Sequence, residues 1–137
     1  MKEMEYQATR KIELLFDEEY KGYHYYILNL GTHPTAYVEI PKGNKLFSKN
    51  YNEIYEDDID IEVHGGLTYS RNFLFLDKDT KKDNSWFIGW DYAHYNDYCG
   101  YDELYPQFAT GGYKWTTEEI IEECKSVIEQ IIKANNN

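Results

Sequence analysis

The residues with the most chemical capacity are His64, Asp91, His94 and Asp97. Asp91, His94 and Asp97 follow one another at intervals of three, where the apolar run Trp86–Trp90 ends. His64 stands directly before Gly65-Gly66. Imidazole and carboxylate are ordinary metal ligands. The same pair also makes a general base, with the carboxylate orienting the ring. No HExxH or CxxC spacing supports a metal, and no nucleophile elbow frames Thr68, Tyr69 or Ser70. A third reading needs neither. Gly65-Gly66 offers backbone N–H groups that can approach an anion. Tyr69, Trp86, Trp90, Tyr92 and Tyr95 could stack on a ring, and Asp91 or Asp97 could accept from ribose or amide groups. This pocket accounts for more of the composition than a metal centre does. The expected ligand-binding set is therefore His64, Gly65, Gly66, Thr68, Tyr69, Trp90, Asp91, His94 and Asp97. No metal or cofactor is assigned, and no catalytic residue. Each has a plainer alternative: Asp91 as a turn cap, His94 in one structural hydrogen bond, the glycines as a simple turn. His33, before Pro34, reads as an exposed turn residue, and His24 as structural.

A scaffold must hold these residues. Ile12 to Phe16 reads as a strand, Asp17 to Gly22 as a turn, and Tyr23 to Leu30 as the returning strand of a hairpin. Residues 31–34 break the chain, and Thr35 to Ile40 reads as a third strand. Residues 44–58 suggest a loop with a short helix, since Phe47, Tyr51 and Tyr55 are spaced by four. Ile59 to Val63 alternates apolar and acidic residues, the pattern of a half-buried strand leading into His64. Leu67 to Leu76 continues extended, 77–84 is a charged turn, and Trp86 to Trp90 is the return strand. Gly89 within it suggests a bulge or a close approach by a ligand or another backbone. Residues 94–113 form a long loop. The last element is the clearest. Thr116 and Glu119 make a capping box. Ile120, Cys124, Val127, Ile128 and Ile131 then repeat at helical spacing. The fold class is α+β: a mostly antiparallel sheet covered on one face by a C-terminal amphipathic helix at 116–134. The 137 residues suit a single domain with a polar arm at 1–8.

Composition narrows the function. The net charge is −11, which disfavours binding to phosphate backbones, so no direct nucleic acid is expected. It suits either a solvated acidic surface or docking on a basic partner. Fifteen tyrosines exceed what a small core needs and suggest a groove or contact surface, and a homodimer is compatible with them. No apolar run reaches the roughly 20 residues that span a membrane. The first eleven residues lack the apolar core of a signal peptide. Cys99 and Cys124 have no metal-binding spacing and read as reduced thiols, which fits a cytoplasmic location.

The chain resembles a family of small proteins encoded by bacteriophages and prophages. The resemblance rests on His33-Pro34-Thr35-Ala36-Tyr37-Val38, on Val63-His64-Gly65-Gly66-Leu67-Thr68-Tyr69, on Trp86 to His94 with Asp97, and on a C-terminal helix containing Glu123-Cys124. It covers most of the chain from about residue 30 onward. Members often carry Phe and Cys where this chain has Trp90 and Tyr92. The resemblance implies a phage accessory protein in the host cytoplasm, with an anti-defence role. It brings no catalytic residues with it. Two routes follow: capture of a small nucleotide-like ligand, or inhibition of a basic, nucleic-acid-handling host defence protein by an acidic surface, as an anti-CRISPR or DNA mimic would act. A metal-assisted hydrolase using the same His/Asp cluster is the third.

Overall fold

The structure is a computed structural model that describes residues 12–30, 33–77, 79–94, 97 and 113–136. The expected arm at 1–8, most of the loop at 94–113, Tyr95 and Cys99 lie outside these residues.

The chain folds as β1 (Glu13–Tyr20), β2 (Tyr23–Asn29), β3 (Pro34–Ile40), α1 (Tyr51–Glu56), β4 (Tyr69–Phe75), β5 (Lys81–Asp91) and α2 (Thr117–Asn135). The strands form one antiparallel sheet in the order β1-β2-β3-β5-β4. Helix α2 packs its apolar stripe on one face. Ile120, Cys124, Val127, Ile128 and Ile131 are buried there against Tyr25, Ile27, Val38, Ile88 and Trp90. The helix begins where its capping box predicts: Thr116 Oγ1 accepts from the Glu119 N–H at 3.2 Å, and Glu119 Oε1 accepts from the Thr116 N–H at 3.0 Å. Among the described residues, no helix is long and apolar enough to cross a membrane.

The opposite face of the sheet carries a second apolar cluster of Tyr26, Leu28, Tyr37, Leu74 and Phe87, with Tyr69 and Leu76 beside it. Burial takes up five of the tyrosines that the composition offered to a groove, while Tyr55 and Tyr113 stay exposed. Tyr23, Tyr25, Tyr26, Tyr37 and Tyr92 are buried. Their hydroxyls find polar partners where those are needed. Tyr25 donates to Glu18 at 2.7 Å, and Tyr26 donates to Glu39 at 2.9 Å. Burial pushes the Tyr26 phenol up to about 12, so it donates as a neutral group.

Four expectations are corrected. Asp17 to Tyr20 is strand, not turn; the reversal is the two-residue Lys21-Gly22, both at positive φ (51° and 87°), as tight hairpins require. The acidic residues sit on a sheet edge where charge is tolerated. Asp17 also meets His24 at 2.6 Å. Residues 81–84 likewise belong to β5. The turn before them is closed by Leu76 N–H to Thr80 O at 2.8 Å and by Asp77, which accepts from the Asp79 and Thr80 N–H groups. The register shift lies opposite Arg71/Phe73, with Asn84 at φ 59°, and not at Gly89. Of the two readings of Gly89, the close approach holds: a Cβ there would meet the Tyr37 ring at 2.4 Å and the Ala36 backbone oxygen at 2.7 Å.

The fourth correction concerns Ile59 to Val63. It is extended and alternates in burial, with Ile61 2% exposed, yet among the described residues it pairs with no strand. Side chains of α2 satisfy its backbone instead. The Glu62 N–H donates to Gln130 Oε1 at 2.6 Å, and Glu62 O accepts from Gln130 Nε2 at 2.8 Å. The His64 N–H donates to Glu123 Oε1 at 2.9 Å. This strap carries His64 to the end of the sheet.

Candidate functional site: a histidine–carboxylate cluster at the sheet end

Strands β3 and β5 run antiparallel, so the start of one meets the end of the other. Thr35 pairs with Asp91, and the Tyr92 N–H donates to Pro34 O at 3.1 Å. The strap brings His64 to the same corner. The segment just before α2 adds Trp115.

Asp97 is the hub and is 7% exposed. Its carboxylate accepts from His64 Nε2 at 2.7 and 2.9 Å, from the His94 N–H at 3.0 Å and from Trp115 Nε1 at 3.0 Å. The His64 ring stacks on Tyr92, with centroids 5.0 Å apart and planes 7° apart. It also leans on Trp115 at 4.9 Å and meets the His94 ring edge-on at 5.5 Å. Its side chain is 26% exposed. The ring is thus held in orientation by hydrogen bonds and in place by aromatic faces.

Asp91 caps the turn that follows it: Oδ1 accepts from the Ala93 N–H and Oδ2 from Thr68 Oγ1, each at 3.1 Å. His94 Nε2 lies 3.2 Å from Asp91 Oδ1, inside ion-pair distance. The angles do not make a hydrogen bond, however, and this nitrogen is buried without a hydrogen-bond partner. It presses on the backbone of Gly65, where an added Cβ would fall 2.0 Å away. Gly65 also has φ 70°. Glycine is required here for two independent reasons.

The structure therefore joins His64, Gly65, Thr68, Asp91, His94 and Asp97, and separates the others. The Gly66 N–H closes a turn onto Val63 O at 2.9 Å, which removes it as a free anion donor. Trp90 is 1% exposed in the core, with its indole N–H on the Tyr92 hydroxyl at 3.0 Å. It offers no face for stacking. Tyr69 packs edge-on against Tyr37 in the cluster on the far face of the sheet, and its hydroxyl donates to Phe73 O. Trp86 donates to Lys49 O at 3.0 Å, and Tyr92 is fully buried. The aromatic residues are structural because alternating strand positions that hold large rings are core positions first.

Sequence reasoning missed three participants. His33 is not an exposed turn residue. It is half-buried, burial pulls its pKa down, and Asp91, Asp97 and His94 act on it electrostatically. Trp115 and Glu123 anchor Asp97 and the strap. Adjacency of residue 33 to 91 follows from the β3–β5 register and nothing local in the sequence carries it. Among the described residues, no group of three or more His, Cys, Asp or Glu side chains is arranged to hold a metal ion. Two cavities lie elsewhere, one beside Lys45 and Lys133 and one beside His24 and Lys82. No family model, curated protein or solved structure matches this chain.

Proposed function

We propose that the protein is a phage-encoded accessory protein, anti-defence in role, that binds a small polar, nucleotide-like ligand in the host cytoplasm. The phage context rests on the sequence resemblance. The observation that carries the binding reading is the rim around His64. Its imidazole is held by Asp97, while the side chains of His64, Asp91 and His94 stay a quarter to a third exposed (26%, 26% and 33%). Asp91 offers a carboxylate to hydroxyl and amino donors, and Thr68, also exposed, offers a hydroxyl. Such fixed polar groups cost little reorganisation on binding. Calorimetric titration with nucleotides tests this. Asp91→Asn and His64→Ala, each confirmed as folded, should weaken binding by about tenfold or more, the loss of one good charged contact. Unchanged affinity in both would end the proposal.

A second reading is favoured by the sheet edge. β1 exposes Glu13, Asp17, Glu18 and Glu19 on one edge strand of a chain whose net charge is −11. An acidic inhibitor of a basic host protein would dock there, with salt-sensitive association. The hydrolase reading has the weaker support, since the described His and Asp side chains form no metal-ligating set.

A further inference from the structure

A second site is built from different residues at the other end of α2. An open cleft of 860 Å³ lies between residues 45–49, the strap at 57–62 and the last turns of the helix. Its lining carries both charges: Lys45, Lys49 and Lys133 come from the loop and the helix end, and Asp57, Asp58, Asp60 and Glu62 from the segment that runs from α1 into the strap. The walls are tied in place. The Lys45 N–H donates to Asn135 Oδ1 at 3.0 Å, and Gln130 clamps both backbone groups of Glu62.

The lysines differ in how they are satisfied. Lys49 is engaged by Asp57. Lys45 and Lys133 are exposed and make no ion pair among the described residues. A lysine near a helix C-terminus complements the helix dipole, which accounts for Lys133. It does not account for Lys45, which belongs to another element. Two ammonium groups facing one cleft, in a chain with 25 acidic and 14 basic residues, leave charge that a ligand can use. Lysine binds phosphate as a point charge. The carboxylates of the lining can accept only from donors such as hydroxyl and amino groups. The volume lies within the roughly 300–1,000 Å³ of small-molecule sites.

We infer that this cleft binds a small phosphate monoester whose far end carries hydroxyl or amino donors, as in a nucleoside monophosphate. The phosphate meets Lys45 and Lys133, and the donor-rich end meets Asp58, Asp60 or Glu62. The ligand class is shared with the reading above but the site is not, so the two fail separately.

The test is a heteronuclear NMR and calorimetric titration of the whole chain at low salt with adenosine 5′-monophosphate, adenosine and inorganic phosphate. Adenosine monophosphate should shift the amides of 45–49 and 130–135, and inorganic phosphate should compete with it. The exposed double variant Lys45→Glu/Lys133→Glu should raise the Kd read from the amide shifts of 45–49 and 130–135 about tenfold or more, while the midpoint of any shifts at His64 and Asp91 stays where it was. Equal binding of adenosine and adenosine monophosphate would overturn the inference. So would shifts confined to His64, Asp91 and Asp97 with the loss seen only in Asp91→Asn, an outcome that keeps the sheet-end reading alone. Absence of any shift with all three probes would remove the cleft site.

Discussion

The corner at His64 and the cleft at Lys45 and Lys133 sit at opposite ends of the same strap, and both are rich in charged residues. At the corner, groups have found one another. Asp97 accepts from three different residues, and Asp91 caps its turn and holds Thr68. In the cleft, Lys45 and Lys133 share a lining with carboxylates and make no ion pair among the described residues. Buried polar groups need partners, and meeting that need cross-links the chain segments that bring them. Exposed ones are satisfied by water and can exchange it for a ligand. Density of chemically capable residues therefore marks a structural fastener at least as readily as a site, and unpaired charge beside free volume is the better sign of a ligand.

The difference can be broken by substitution. The largest effect should come from Asp97→Ala. It strands the partners of a buried carboxylate, and stability should fall by about 3 kcal/mol in urea denaturation. A loss under about 1 kcal/mol would mean that the corner is not a fastener. Gly65→Ala comes next, at about 2 kcal/mol, from left-handed backbone and the collision with His94. Gly66→Ala is its control. Gly66 has φ 80° but open space around its Cβ position, so it should lose only the backbone part, about 1 kcal/mol. Pairing Gly65→Ala with His94→Ala should recover the difference, read as a coupling energy in a double-mutant cycle.

At the cleft end, Gln130→Ala removes both hydrogen bonds to Glu62. It should lower stability by about 1–2 kcal/mol and speed hydrogen exchange at the Glu62 amide, while the His64 amide, held by Glu123, keeps its protection. The smallest effect is a pH dependence at His33. Burial depresses its folded pKa below the usual 6.5. The unfolded chain then binds more protons than the folded one between that depressed value and 6.5. Its contribution is intact above pH 6.5 and is lost as pH falls towards the folded pKa. His33→Gln should flatten that part of the profile, read from urea midpoints across pH 5 to 7.5. An unchanged slope would place His33 in solvent.

Much of the fold was legible because its signals are local. The α2 capping box and apolar stripe depend on residues within one or two helical turns, and the β-rich runs at 23–29 and 34–40 alternate or bury throughout. The candidate site was legible in part. Asp91, His94 and Asp97 are close in sequence, and a turn brings them together with His64. Of its aromatic half, Trp90 is buried in the core and Tyr69 packs on the far face of the sheet, while Tyr92 lies under His64. A run such as Trp86 to Tyr92 has the same composition whether its rings line a groove or fill a core.

By itself, then, the sequence determined the elements, the antiparallel α+β class and the identity of the polar cluster, since propensity, capping and alternation act over a few residues. Tertiary structure decided what each of those elements touches. It made Ile59 to Val63 a strap on a helix and not a ladder strand, because alternation specifies a half-buried backbone and not the donor that satisfies it. It brought His33 to Asp91 through the β3–β5 register, turned Trp90 inward, and set Lys45 beside the end of α2, some 90 residues away in the chain. Each of these depends on which surfaces meet, and that choice is made by burial over the whole molecule.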